Sequence, residues 1–319
     1  MGIAGGLALI GLVVLVVLNL RSGGTDEPAG LRVVDTEHLN TRLVEYTLRT
    51  PALSDETHVR VLLPSDYAES TRRYPVLYLL HGKDGDYRQW TDRLGVADLT
   101  RDLPVIVVMP DGGPAGFYSN WYNGGDGGSP MWETYHVDEL TPWIDSEFRT
   151  VDEKEGRAIG GASMGGFGAL SYAGRHPDLF VAAASFSGLV DSSYPPAARA
   201  FEMAGRAPDG EPALWGTRSE HEELWREHNP LDLTSRLRGV RIFLSTGNGQ
   251  AGGPYGGGPD YVEMVVHATN VRLHQRLAKL GISHGWDDYG PGAHDLPYVR
   301  RSFARTLPML MSTFRVPAQ

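Results

Sequence analysis

Two kinds of apolar pattern divide the chain from residue 41 onward. Polar and apolar residues alternate over 41–49 and 57–63, which predicts antiparallel strands with one face in water. Continuous apolar runs predict strands that are covered on both faces, and they lie at 76–80, 105–109, 157–162, 180–187 and 241–246. A last strand is predicted over 286–289.

Apolar residues at helical spacing predict helices between these strands, at 138–148, 164–175, 261–280 and 299–314. Residues 190–235 follow neither pattern, so we expect an irregular cap or surface excursion there. Because strands alternate with helices, the pattern predicts an α/β fold with a mostly parallel central sheet and helices on both faces.

The first 21 residues differ from the rest of the chain. Residues 2–20 carry no charged side chain, and at about 1.5 Å per residue a helix of this length just spans a bilayer. We expect residues 1–21 to be a membrane anchor or export signal, 22–30 a linker and 31–319 one folded domain. The absence of a small-x-small cleavage pattern after the apolar run favours an anchor. The protein is therefore expected to be exported, either anchored or secreted.

Composition removes several classes of function. The net charge of −10 argues against a nucleic-acid partner, because a phosphate-binding surface needs clustered Lys and Arg. The chain has no cysteine, which excludes disulfides and thiolate metal sites. The sequence has neither a ligand-spaced His and carboxylate cluster nor a dinucleotide motif, so no metal and no cofactor is expected.

The motif Gly161-x-Ser163-x-Gly165 lies between the predicted strand 157–162 and the predicted helix 164–175. In a nucleophile elbow, a strand turns sharply into a helix and holds a serine at the tip. The backbone approaches closely at such a turn, so the residues two before and two after the serine must lack a Cβ. The alternative is an ordinary Gly-rich turn. The context favours Ser163 as a nucleophile.

A serine nucleophile needs a base, which is usually an imidazole. In folds with such an elbow, the catalytic residues follow one another along the chain in the order serine, acid, histidine. His294 fits this position, because it follows residues 290–293 and precedes the last predicted helix. The other histidines lie earlier or within predicted elements. We therefore predict His294 as the base.

The acid is expected after the strand 241–246, and two carboxylates follow there. Asp260 and Glu263 lie one helical turn apart at the start of a predicted helix. Either one could hydrogen-bond the imidazole, and either one could instead form the helix cap. The residues alone leave this choice open.

An oxyanion hole requires two backbone N–H donors. The residue after the nucleophile, Met164, supplies one of them. The loop after the strand 76–80 is expected to supply the other, and we assign it to Lys83.

At this point the chain resembles the putative-esterase branch of the α/β-hydrolases, which includes esterase D, feruloyl and tributyrin esterases, and the mycolyltransferases. The resemblance covers about residues 40–315 and rests on these segments: Leu79-Leu80-His81-Gly82, Phe117-Tyr118-Ser119-Asn120-Trp121-Tyr122, Trp132-Glu133-Thr134, the elbow, His176-Pro177-Asp178-Leu179-Phe180, Ser187-Gly188 and Gly247-Asn248-Gly249. It implies the α/β-hydrolase fold. In the mycolyltransferases the acid is a glutamate early in the helix after Gly-Asn-Gly, which implies Glu263 rather than Asp260.

The resemblance also shows departures. The mycolyltransferases hold trehalose with an aspartate and an arginine around the oxyanion loop, where this chain has His81 and Asp84. They carry a tryptophan where this chain has Leu296. A disaccharide site is therefore in doubt.

These observations predict a serine carboxylic-ester hydrolase that acts through Ser163, His294 and Glu263 and an acyl-enzyme. Its partners would be a small-molecule or lipid ester and, through the N-terminal segment, a membrane. The first alternative is an acyltransferase that uses a cell-envelope sugar or another alcohol as acceptor. The second alternative is a non-catalytic binding protein of the cell surface.

Overall fold

A nine-stranded sheet runs through the computed structural model, which describes residues 30–83, 85–122, 131–204 and 214–315. Its strands are β1 (Arg32–His38), β2 (Leu43–Arg49), β3 (Thr57–Leu62), β4 (Val76–Leu80), β5 (Ile106–Pro110), β6 (Arg157–Ala162), β7 (Ala182–Phe186), β8 (Arg241–Thr246) and β9 (His284–Asp288). Their order in the sheet is β1-β2-β3-β5-β4-β6-β7-β8-β9. The pairs from β5 to β9 are parallel, and β1, β2 and β3 join one edge in antiparallel pairs.

Helices connect the parallel strands. They are α1 (Gln89–Asp92), α2 (Val96–Leu99), α3 (Thr141–Glu147), α4 (Met164–Arg175), α5 (Pro195–Ala204), α6 (Glu222–His228), α7 (Tyr261–Lys279) and α8 (Leu296–Thr313). A π-helix at Thr134–Leu140 leads into α3, and 3₁₀ turns lie at Tyr67–Glu69, Lys154–Gly156 and Asp232–Leu237.

The core has two parts, one on each face of the sheet. On β4, Tyr78 and Leu80 pack into the part that contains Phe167 of α4. Leu77 and Leu79 point the other way and pack with Phe303 of α8. A strand that is buried on both faces must be apolar at every position, and β4 is. The predicted α/β architecture with helices on both faces is confirmed.

The prediction for residues 190–235 is wrong in one respect. The region forms α5, α6 and a 3₁₀ turn, although its residues 205–213 lie outside the described part. Phe201 of α5 is fully buried, and its ring lies 5.3 Å from that of Trp215. The apolar face of α5 is made largely of alanine, which has too little hydrophobicity to stand out as a helical pattern.

Strand β1 and the single-turn helices α1 and α2 were also not predicted. All seven residues of β1 are exposed, so no alternation of apolar and polar residues marks it. Hydrogen bonds to β2 hold this strand at the sheet edge. The predicted anchor (1–21) and nearly all of the predicted linker (22–30) lie outside the described residues. Within the described residues, no helix combines the length and apolar character needed to cross a bilayer.

Two histidines of the described residues, His136 and His228, are buried and have strongly lowered pKa values. In the π-helix, the His136 Nε2 lies 2.8 Å from the Asp111 carbonyl oxygen, and its Nδ1 lies 2.9 Å from the Tyr172 hydroxyl. Burial lowers the pKa of His136 to about 4. Burial and, secondarily, the charge of Arg175 lower the pKa of His228 to about 3. Both imidazoles are therefore neutral in the folded protein at neutral pH.

These pKa values predict that acid weakens the fold. Unfolding frees each histidine to bind a proton near pH 6.5, so stability is complete above that pH and falls as pH drops toward 4. Each histidine contributes a slope of up to about 1.4 kcal/mol per pH unit. His228→Gln should lower the slope of the unfolding free energy between pH 6 and 5, measured by urea unfolding, by up to about 1.4 kcal/mol per pH unit. An unchanged slope would contradict the buried, neutral state of His228.

Candidate active site

The predicted site residues meet at the carboxyl ends of the parallel strands. Ser163 follows β6, Glu263 lies in the first turn of α7 after β8, and His294 lies between β9 and α8. In open α/β sheets, ligands bind outside this edge, because the loops that leave neighbouring strands converge there.

Ser163 stands at a strained turn between β6 and α4. Its φ of 54° and ψ of −113° are unusual for a residue with a side chain, and its N–H donates to the Phe186 carbonyl at 2.9 Å. A Cβ on Gly161 would lie 2.2 Å from the Gly165 carbonyl oxygen. A Cβ on Gly165 would lie 2.3 Å from the Leu80 carbonyl oxygen. Both glycines are therefore required by close backbone contacts.

A chain of short contacts joins the three side chains. The Ser163 Oγ lies 2.8 Å from the His294 Nε2, and the His294 Nδ1 lies 2.7 Å from the Glu263 Oε2. Because a carboxylate only accepts, the proton of the neutral imidazole belongs on Nδ1. The Nε2 lone pair then faces the serine hydroxyl.

The Glu263 carboxylate has no exposure to solvent, so its charge depends on donors inside the protein. Its Oε1 accepts from the Ser187 hydroxyl at 2.8 Å and from the Gly247 N–H at 2.7 Å. The Thr246 hydroxyl lies 3.0 Å from the same oxygen. These groups lie at the ends of β7 and β8, and His294 lies in the loop after β9. Together they surround the carboxylate.

Asp260, the other candidate acid, is used by the backbone. Its Oδ1 accepts the Glu263 N–H at 3.0 Å and caps α7. Its Oδ2 accepts the His294 N–H at 2.9 Å. Burial acts to raise the pKa of Asp260, but the N–H donors of His294 and Glu263 outweigh burial and lower it. Glu263 is therefore the carboxylate that contacts the His294 ring, and Asp260 binds the backbone N–H groups of Glu263 and His294.

A cavity of about 470 Å³ opens beside Ser163. Its walls are mostly apolar and come from α5, from the first two turns of α7, and from the loops around them: Lys83, Phe117, Met164, Leu189, Pro196, Ala200, Met203, Tyr261, Val262, Val265 and Val266. Phe117 and its neighbour Tyr118 have φ angles of 50° and 53°. Such left-handed residues with side chains carry strain, which is common at ligand sites.

The two predicted oxyanion donors border this cavity. Met164 is the first residue of α4, where the helix leaves backbone N–H groups without an intrahelical acceptor. Lys83 follows Gly82 in the loop after β4. A Cβ placed on Gly82 would lie 3.5 Å from the Ser163 Cβ, so this loop runs beside the serine.

Sequence reasoning missed the residues that support the acid. Ser187 and Thr246 stand at the ends of the buried strands β7 and β8, where a polar residue after an apolar run is a usable signal. Ser187 has a φ of 49°, which the sequence could not indicate. Among the described residues, no group of three or more His, Asp or Glu side chains is arranged to hold a metal ion.

Comparison with known proteins adds independent findings. The family model described as "Putative esterase" matches residues 50–310. The chain is 39% identical over 292 residues to Esterase Rv1288 of Mycobacterium tuberculosis, which covers 88% of this chain and 61% of that protein. The chain thus spans less than two thirds of this relative's length. It is 30% identical over 268 residues to the diacylglycerol acyltransferase/mycolyltransferase Ag85A of Mycobacterium tuberculosis, covering 80% and 77% of the two chains.

Solved structures are similar over most of the chain. A ferulic acid esterase matches with a TM-score of 0.65 and 25% identity, covering 86% of this chain and 99% of the other. An S-formylglutathione hydrolase from Agrobacterium tumefaciens matches with a TM-score of 0.70 and 17% identity, covering 89% and 99%. At that identity, the second match shows a shared fold alone.

The glycine contacts lead to a prediction on stability. Gly165→Ala should destabilise the protein by roughly 2 kcal/mol or more, because a backbone carbonyl must move to admit the methyl group. This is opposite to the effect of helix propensity, which favours alanine by about 1 kcal/mol. Gly258→Ala is the control, since nothing lies within 4 Å of a Cβ there. Chemical unfolding measures both, and equal stabilities would contradict the close contact at Gly165.

Proposed function

The chain belongs to the putative esterase family, and we propose that it hydrolyses carboxylic esters through a Ser163–His294–Glu263 triad and an acyl-enzyme intermediate. The observation that carries the proposal is the chain of contacts from the Ser163 Oγ to the His294 Nε2 at 2.8 Å and from the His294 Nδ1 to Glu263 at 2.7 Å. The cavity next to Ser163 gives the ester a place to bind.

In the first step, the Ser163 Oγ attacks the ester carbonyl carbon while the His294 Nε2 takes the hydroxyl proton. The imidazolium that forms is stabilised by the buried Glu263 carboxylate. The carbonyl oxygen becomes an oxyanion and accepts hydrogen bonds from the Lys83 and Met164 N–H groups. The carbonyl then re-forms, the bond to the alcohol breaks, and His294 returns the proton to the leaving oxygen.

In the second step, water attacks the acyl-enzyme. His294 removes a proton from this water and then protonates the Ser163 Oγ as the acid product leaves. The enzyme returns to its starting charge, because every proton that His294 takes up is released again. The residues named here complete the cycle without a cofactor.

The cavity walls support an ester with an apolar acyl group. Val262, Val265 and Val266 of α7 face Ala200 and Met203 of α5 across the cavity beside Ser163. Burying apolar surface there yields about 25 cal/mol per Å², so binding should strengthen as an aliphatic acyl chain lengthens. A small-molecule or lipid ester would be the partner in this reaction.

Acyl transfer to a sugar or another alcohol is the second candidate, and the similarity to Ag85A supports it. The burial of His81 favours hydrolysis over transfer to a sugar. This residue occupies one of the positions that hold trehalose in the mycolyltransferases. Its side chain is fully buried, and its nitrogens lie within hydrogen-bond distance of the Gly82 carbonyl oxygen and the Gly112 N–H. It therefore has no surface to offer a sugar. Asp84 lies outside the described residues.

The proposed domain arrangement completes this assignment. Residues 31–319 would form the catalytic domain, and residues 1–21 would export or anchor it through the linker 22–30. The apolar run at 2–20 supports this location.

Loss of the nucleophile tests the proposed function. Ser163→Ala should lower turnover of nitrophenyl esters on the order of 10³-fold or more. A fluorophosphonate should label the natural protein and leave the variant unlabelled, because only an activated serine reacts. A non-catalytic binding protein would neither label nor hydrolyse.

A series of nitrophenyl esters with different acyl chains, run with and without trehalose, separates hydrolysis from acyl transfer. An acceptor that captures the acyl group gives a new ester.

The two carboxylates should respond differently. Glu263→Gln removes the charge that stabilises the imidazolium, so turnover should fall roughly 10²- to 10⁴-fold with little loss of fold. Asp260→Asn keeps one acceptor oxygen for the helix cap but loses the acceptor for the His294 N–H, so it should cost about 1 kcal/mol of stability and a smaller part of the turnover than Glu263→Gln. Kinetics and unfolding of both variants give the comparison. A larger kinetic loss in Asp260→Asn would reverse the assignment.

A further inference from the structure

His81 and Gln89 hold one glycine from two sides. The His81 Nδ1 lies 2.8 Å from the Gly82 carbonyl oxygen. The Gly82 N–H donates to the Gln89 Oε1 at 3.0 Å. Both side chains are buried, and Gly82 lies next to Ser163. Gln89 thus holds the peptide before Gly82, and His81 holds the peptide after it, whose carbonyl also accepts the Gly85 N–H at 3.0 Å.

The ring of His81 carries a proton on Nδ1 in either of its charge states. The Gly112 N–H donates to Nε2 at 2.8 Å, so the proton of a neutral ring belongs on Nδ1. The Asp111 Oδ1 lies 3.1 Å from Nε2, and the Gly82 carbonyl oxygen beside Nδ1 can only accept, so this contact also requires a proton on Nδ1. His81 is thus a permanent donor to the Gly82 carbonyl.

The hydrogen bond from His81 to the Gly82 carbonyl also affects the direction of the Lys83 N–H. The Gly82 C=O and the Lys83 N–H belong to one planar trans peptide, in which they point in opposite directions. Holding the carbonyl oxygen toward His81 turns the Lys83 N–H the other way. The His81 backbone is itself fixed, because its carbonyl accepts from the Tyr118 hydroxyl at 3.0 Å.

We propose that His81 and Gln89 are positioning residues that aim the Lys83 N–H at the oxyanion. This inference rests on the proposed function, in which Lys83 is one of two oxyanion donors. His81 touches no substrate and exchanges no proton in the reaction. It acts through the Gly82–Lys83 peptide, so its effect belongs to the transition state, where charge develops on the carbonyl oxygen.

Two amides at position 81 separate this role from a structural one. In His81→Asn, the amide nitrogen stands at the place of Nδ1 and can still donate to the Gly82 carbonyl. In His81→Gln, the amide is one bond longer and reaches the Gly112 N–H, so the Gly82 carbonyl keeps only the Gly85 N–H as a donor. We expect kcat to fall about 10- to 100-fold in His81→Gln and to stay within about threefold of the natural protein in His81→Asn. KM should change little in either.

A transition-state analogue gives a second measurement. A trifluoromethyl ketone forms a tetrahedral oxyanion with an activated serine, and its affinity should fall in His81→Gln by the same factor as kcat. Equal kcat values in the two variants, or an order that follows their thermal stabilities, would overturn the positioning role. If either variant fails to fold, Gln89→Met replaces the pair. It should lower kcat about tenfold at constant KM, and an unchanged kcat would overturn the proposal.

Failure of the proposed function has a different signature. A natural protein that neither hydrolyses esters nor reacts with a fluorophosphonate at Ser163 would refute the function itself. The comparison at position 81 is made on a protein that labels and turns over, so its outcome bears on the positioning of Lys83 alone.

Discussion

A carboxylate that is closed off from water must find its stabilisation within the protein, and the site is arranged around that requirement. Glu263 is fully buried and gathers donors from the ends of β7 and β8 and from the loop that carries His294. Removing one of these donors leaves the buried carboxylate less well satisfied, which typically costs about 1–3 kcal/mol. The same contacts that keep the charge inside therefore also fix the loop geometry. Stability of this edge of the sheet and orientation of the imidazole follow from one interaction.

A second constraint is the space at the elbow. Around Ser163, β6 lies close to α4, and α4 lies close to the end of β4. These distances exclude a Cβ at Gly161 and at Gly165, and the strained backbone of Ser163 depends on this close approach. The strain is maintained by packing around it, since α4 is buried over nearly its whole length. Ser163 is thus presented by the sheet itself, while a loop brings His294 to it and the first turn of α7 brings Glu263 to His294.

Much of this arrangement could be predicted from the sequence, and the reason differs from element to element. Continuous apolar runs indicate the buried strands, apolar residues at helical spacing indicate α7, and the glycines around Ser163 indicate the elbow. The choice between Asp260 and Glu263 could not be made from the residues alone. Asp260 is the N-cap of α7 and Glu263 lies in its first turn, and only the path of the neighbouring loops decides which carboxylate faces the His294 ring. Strand β1 lacks an apolar face, and α5 has mainly alanine on its buried side, so neither has a readable pattern.

The order of the site residues along the chain has a consequence for synthesis. The elbow is complete once β6 and α4 have formed, yet His294 lies 131 residues further on, after the last strand of the sheet. Contacts this distant in sequence form late, because a long loop must close before they contribute. A ribosome-bound chain can therefore form the turn at Ser163 long before His294 has been added to contact it. Under the proposed function, reactivity toward esters therefore appears only after β9 has joined the sheet and His294 has been added.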